Sequence, residues 1–193
     1  MQVLHFLWYI IDADKHKVLM ERELIQAILN GNTSRYAEIV EKYQQMVANL
    51  CYKLAGNSID IEETTHVVFV ELYVSLPRFN YKSKLSTYIY RITLNTVSKA
   101  LGYNKRYTKL DEEYEYMLDA DTVEHKILRA ESEKKLYWAI DRLKYEQKVA
   151  LTLYCFDGMS YKEVAETMEV SLSKVETLIH RAKKNLKKIL TEK

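Results

Sequence analysis

Apolar residues recur along most of this chain at spacings of three and four, the period that puts them on one face of a helix. Leu24, Ile25 and Ile28 begin the pattern in a helix starting near Met20, and Asn30-Gly31-Asn32 ends it, because Gly and Asn tolerate the left-handed conformation of a helix end. Thr33 or Ser34 is expected to cap the next helix, whose stripe is Tyr36, Val40, Tyr43, Val47, Leu50, Cys51 and Leu54, closed by Gly56. Asp60 and Glu63 have the spacing of a capping box. The helix they open runs through Phe69, Leu72 and Tyr73 and stops before Pro77. After a polar loop, a helix starts between residues 84 and 86 and continues through Tyr88, Ile89, Ile92, Leu94 and Val97 to Gly102.

The pattern then breaks. Residues 103–127 hold many Asp and Glu and no sustained period, which predicts a linker. Helical spacing returns with Ile127, Leu128, Leu136, Ile140 and Leu143. A short helix from about Glu146 to Phe156, a turn at Asp157-Gly158, and a second capping-box spacing at Ser160 and Glu163 follow. That box opens a helix ending near Met168, and Ser171 caps a last helix reaching about Leu190. The expected fold is all-α: a helical bundle over 20–102, the acidic linker over 103–127, and a helix-turn-helix domain over 128–193. Only 4 Gly and 1 Pro occur in 193 residues, too few for the turns of an all-β chain.

Composition adds exclusions. A net charge of +2 names no partner by itself, so charge is read segment by segment. Cys51 and Cys155 stand far apart in no metal-ligand spacing and are expected to be two buried, reduced thiols. No metal or cofactor site is expected. Nor does any stretch reach the length of a membrane span. The run Val3 to Ile11 is apolar, but without the basic residues and small-residue cleavage site of a signal peptide. Three readings of residues 1–19 stay open. The segment docks on the protein or a partner, it is untranslated with Met20 as the start, or it lies on a membrane surface, although it lacks the basic face of such an anchor.

Residues 160–188 carry the most chemistry. A helix of about two turns, a short turn and a longer helix give a helix-turn-helix, in which the start of the second helix enters the major groove. Ser171, Ser173, Lys174, Glu176 and Thr177 occupy that start, all polar and able to reach base edges or phosphates. Val164, Ala165, Val170, Val175 and Ile179 fall where the two helices pack. Arg181, Lys183, Lys184, Lys187 and Lys188 follow as a basic cluster suited to phosphate contacts.

FDGMSYKEVAETMEVS followed by HRAKKNL resembles the fourth conserved region of bacterial RNA polymerase sigma factors. DIEETTHVVFVELYVSLPRFNYKSKLSTYIYRITLN resembles their second conserved region. The order and the linker fit the small, two-domain extracytoplasmic-function type, which lacks the intervening third region. The resemblance implies that the last helix, with Arg181 and Lys184, reads the minus-thirty-five promoter element. It places Asp60, Glu62, Glu63, Phe69, Leu72 and Tyr73 on the helix that grips the polymerase clamp, although Thr64, His66 and Val67 depart from the family pattern. The segment Phe79 to Asn95 corresponds to the part that opens the minus-ten element. There Tyr81 and Leu85 line a pocket for an extruded base, Lys82, Lys84, Arg91 and Lys99 are suited to bind the strand's phosphates, and Asn95 joins the minus-ten surface. Tyr88 stands where the family has a tryptophan, either facing that base or packed in the bundle. Glu176 and Leu178 also differ from the family's usual lysine and arginine.

The implied partners are core polymerase (clamp and flap), promoter DNA and an anti-sigma factor, in the cytoplasm. Asp111, Glu112, Glu113, Glu115, Asp119 and Asp121 would thread through the polymerase's RNA channels in place of RNA phosphates, or form a solvated linker. A reading from another class is a transcription regulator with the same helix-turn-helix and an N-terminal dimerisation or sensor bundle. Basic and aromatic residues interleaved between Phe79 and Arg106 have no use in such a bundle. No enzyme motif occurs: no G-x-S-x-G, P-loop or H-E-x-x-H.

Overall fold

The structure is a computed structural model, and it describes residues 18–102 and 135–191. The apolar run at the N-terminus and the acidic linker expected over 103–127 lie outside the described residues. Among the described residues every regular element is helical, as the periodicity predicts. In chain order they are α1 (18–29), a 3-10 turn Thr33–Arg35, α2 (Tyr36–Ala55), α3 (Ile61–Ser75), a 3-10 turn Leu76–Arg78, α4 (Leu85–Ala100), α5 (135–141), α6 (Tyr145–Cys155), α7 (Tyr161–Met168) and α8 (Leu172–Thr191). They sort into two compact units. The first holds α1, most of α2, α3 and most of α4, and the second holds α5 to α8 together with Tyr52–Ile59 and the end of α4 from Val97.

The first unit is a bundle closed by branched aliphatic side chains. Ile25 of α1, Ile39, Val47 and Leu50 of α2, Val68 and Leu72 of α3, and Leu85 and Ile89 of α4 are each at most 2% exposed. Burying each of these stabilises the bundle by about 1.5–3 kcal/mol relative to leaving it in water. Ile39 was absent from the expected stripe, which ran through Val40. Both positions fit the spacing between Tyr36 and Tyr43, and the helix turns Ile39 inward and leaves Val40 half-buried. Polar tethers join the helices at their edges. The Tyr43 hydroxyl donates to Glu21 Oε1 at 2.6 Å, and the Tyr36 hydroxyl donates to the Phe69 carbonyl at 2.6 Å. Burial pushes both hydroxyls above the ordinary tyrosine range, since the ionised form would lose its water.

Helix starts follow the side-chain oxygens. The Asp60 carboxylate accepts the Glu63 N–H at 2.9 Å and caps α3. Thr33 and Ser34, expected as caps, lie instead inside the 3-10 turn that runs into α2, and Ser34 Oγ donates to Asn32 Oδ1. Pro77 falls in the 3-10 turn after α3, where its missing N–H costs no helix hydrogen bond.

In the second unit α8 packs on both α6 and α7. Ile140, Leu143, Leu151 and Ala182 form its core, with Leu186 and Ile189 packed against them. The Ser160 capping box forms in both directions: Glu163 Oε2 accepts the Ser160 N–H at 2.9 Å, and Ser160 Oγ accepts the Glu163 N–H at 3.3 Å.

Candidate nucleic-acid interface

The helix-turn-helix is α7, the turn 169–171 and α8. Val164, Val175 and Ile179 are at most 1% exposed and Ala165 is buried, so the two helices meet on the residues the pattern assigned to that contact. Val170 in the turn is half-buried. The turn bends at Glu169, which adopts φ +56° and sends its N–H back to the Ala165 and Glu166 carbonyls.

Because α8 commits Val175, Leu178, Ile179 and Ala182 to the core, its other faces stay in solvent. Ser171, Ser173, Lys174, Glu176, Thr177, Arg181 and Lys184 are all exposed. Ser171 Oγ accepts the Lys174 N–H at 3.2 Å, which caps α8 and leaves the hydroxyl proton able to donate. Thr177 Oγ1 donates to the Ser173 carbonyl at 2.9 Å, which leaves its lone pairs able to accept. Lys174 Nζ rests 2.9 Å from Glu146 Oε1 on α6. Both members of that pair are substantially exposed, so it is worth no more than about 1 kcal/mol and holds the ammonium only weakly. Leu178, where the family often has arginine, is buried and belongs to the packing face. Arg181, Lys183, Lys184, Lys187 and Lys188 crowd the C-terminal half of α8, and Lys188 lies in the last turn, where the helix dipole favours positive charge.

A second surface lies on the first unit. After α3 the chain runs through its 3-10 turn into residues 79–84 and then α4. Phe79 is buried and centres an aromatic cluster, with the Tyr81 and Tyr88 rings each 5.0 Å from its own. Tyr88 is half-buried, with its hydroxyl 3.5 Å from the Ser75 carbonyl. Tyr90 and Ile92 are buried. Lys84, Tyr88, Arg91 and Asn95 follow one another at spacings of four, three and four, and none is buried. They form a stripe running up α4 from the loop, and Lys82 stands exposed beside its foot. Leu85, expected to line a pocket beside Tyr81, is only 2% exposed and belongs to the bundle core.

On α3, Asp60, Glu62, Glu63 and Tyr73 are exposed, whereas Phe69 and Leu72 turn into the bundle. The helix hides those two side chains and shows others that the pattern did not single out. Val67, Val70 and Val74 are exposed apolar residues beside Tyr73, whose ring meets Tyr36 edge-on at 5.0 Å. Tyr36, Val40, Glu62, Phe69, Val70 and Tyr73 contribute to a groove of about 410 Å³ between α2 and α3. The signal for this second face was present: α3 is apolar on nearly every side, more than one buried face needs. His66 is exposed, and no cluster able to hold a metal occurs among the described residues.

Comparison with known proteins agrees with this geometry. The family described as Sigma-70 region 2 matches residues 39–107, and Sigma-70, region 4 matches residues 134–186. The chain belongs to the sigma-70 family of RNA polymerase sigma factors and is of the extracytoplasmic-function type. It is 29% identical to the ECF RNA polymerase sigma-E factor of Haemophilus influenzae, over 86% of this chain and 92% of that one. To the ECF RNA polymerase sigma factor SigW of Bacillus subtilis it is 25% identical, over 90% and 98% of the two chains. Its fold is similar to that of the sigma factor RpoE of Bartonella quintana, solved in complex with the anti-sigma factor NepR. The TM-score is 0.59 at 15% identity, covering 80% of this chain and 96% of that one. No described helix is long and apolar enough to cross a membrane.

Proposed function

We propose that this sigma factor contacts promoter DNA with two surfaces and core polymerase with a third, and that it performs no catalysis of its own. The start of α8 reads the minus-thirty-five element through Ser171, Ser173, Lys174, Glu176 and Thr177, with Arg181 and Lys184 on phosphates. The loop 79–84 and the α4 stripe receive the minus-ten strand through Tyr81, Lys82, Lys84, Tyr88, Arg91 and Asn95. Asp60, Glu62, Glu63 and Tyr73 meet the polymerase clamp on α3, with Phe69 and Leu72 holding that helix in place from within. Residues 20–102 and 128–193 act as the two working domains, in the cytoplasm, and an anti-sigma factor restrains them.

One observation carries most of the reading. The seven residues assigned to the minus-thirty-five element are all exposed, while their neighbours on α8 form the core. Capping α8 needs only Ser171; Ser173, Lys174, Glu176 and Thr177, exposed beside it, are left for contacts outside the fold. The nucleotidyl transfer belongs to polymerase; this chain supplies position.

Two sets of substitutions test the assignment in the holoenzyme. Arg181→Ala or Lys184→Ala is expected to weaken binding to all promoter sequences alike and to lower the salt slope by about one. Lys174→Ala or Thr177→Ala is expected to change preference between minus-thirty-five sequences, by about 1–3 kcal/mol for a good base contact. Promoter binding that survives both sets unchanged contradicts the assignment.

A further inference from the structure

Tyr81 adopts φ +59°, one of two non-glycine residues with positive φ among the described residues. A side chain in the left-handed region crowds its own carbonyl oxygen, so a tyrosine stays there only where its surroundings hold it. The hold comes from α1. Gln26 Nε2 donates to the Tyr81 hydroxyl at 2.9 Å, and the Arg22 guanidinium carbon sits 4.6 Å from the ring centroid. Arg22 and Gln26 are one helical turn apart and exposed on α1, while Ile25 and Ile28 anchor the adjoining face in the core. Phe79 supports the ring from within the loop, and Asn80 Oδ1 accepts the Lys82 N–H at 3.2 Å. The loop that resembles the minus-ten reader is thus shaped partly by a helix far from it in sequence.

We infer that Arg22 and Gln26 are positioning residues for base selection: by pinning Tyr81 they hold loop 79–84 ready to receive an unstacked base of the single-stranded minus-ten element. This rests on the reading of that loop given above. The chemistry follows from the contacts. Gln26 donates to a lone pair of the phenol oxygen, so the phenol keeps its own proton to donate to an acceptor on a base. The guanidinium over the ring offers a planar cationic surface of the kind on which bases stack. A loop fixed before the strand arrives loses less freedom on binding, and the base then meets one arrangement of donors instead of many.

The test uses the full chain assembled with core polymerase and labelled single-stranded minus-ten oligonucleotides, each position varied through the four bases. Unsubstituted holoenzyme should prefer one base at one position by about tenfold or more. Arg22→Ala and Gln26→Met should each cut that preference several-fold, with core polymerase affinity and minus-thirty-five duplex binding unchanged. Arg22→Lys, which keeps the cation, should recover part of it. Both variants alter exposed side chains, and unchanged polymerase affinity serves as the check on folding. If they retain the full preference, the positioning role falls and the loop reading stands. If the unsubstituted holoenzyme shows no base preference at any position, the loop reading falls and the positioning role with it.

Discussion

Single residues set conditions that the helix pattern alone does not express. Glu169 turns the chain between α7 and α8 at φ +56°, where a Cβ costs about 1–2 kcal/mol and glycine costs nothing of the kind. Glu169→Gly should therefore raise the stability of the second unit by about 1 kcal/mol, and Glu169→Val should lower it. Urea unfolding followed by helical circular dichroism reads the change; destabilisation by glycine would contradict the left-handed turn. The two thiols differ as sharply. Cys51 is buried, as expected of both, whereas Cys155, the last residue of α6, is exposed. Burial pushes the Cys51 thiol from its ordinary 9.0 up to about 11, because the thiolate would lose its water. A raised folded value means this contribution to stability is complete below the ordinary value and is lost as pH rises through about 11. Tyr36 and Tyr43, also raised by burial, push the same way at higher pH. A thiol reagent on the folded protein at neutral pH should label Cys155 and spare Cys51. The fall in thermal midpoint between pH 9.0 and about 11 should be shallower in Cys51→Ala; an equal slope would remove the thiol from the account.

At the level of elements, the most informative signals were oxygens at helix starts. Ser160 with Glu163, and Ser171 before Leu172, marked the starts of α7 and α8 in the sequence, and both caps form. Ser160→Ala should cost the second unit about 1 kcal/mol, since it leaves the N–H of Glu163 without its acceptor. A change near zero would mean that water replaces the box at no cost. Where two adjacent residues both fitted the period, the pattern could not choose, as with Ile39 and Val40. Where apolar residues crowd several faces, as in α3 from Val67 to Val74, the pattern concealed the difference between the face that builds the bundle and the face that shows Val67, Val70 and Val74 to solvent. α3 resembles the family's clamp-gripping helix, and of the six residues which that resemblance puts on its gripping surface Phe69 and Leu72 face inward. The contacts of Arg22 and Gln26 with Tyr81 left no trace in local spacing, because they join residues about 55 positions apart across a fold that local patterns do not encode.

For the whole molecule, the two conserved regions in their order did more than any single motif. A helix-turn-helix alone fits many regulators, and a small helical bundle fits more. Together they mark the sigma-70 family, and with the basic and aromatic stripe on α4 and the exposed polar start of α8 they support the proposal of two surfaces for two promoter elements. A dimeric operator-binding regulator would need no core polymerase to act. Transcription in vitro separates these accounts most directly: core RNA polymerase of the source organism, with and without this chain, on DNA from upstream of its own gene. The predicted result is a discrete transcript that appears only when chain and core polymerase are both present and that weakens with Arg181→Ala and Lys184→Ala. No chain-dependent transcript, with the chain alone binding that DNA as a dimer, would contradict it.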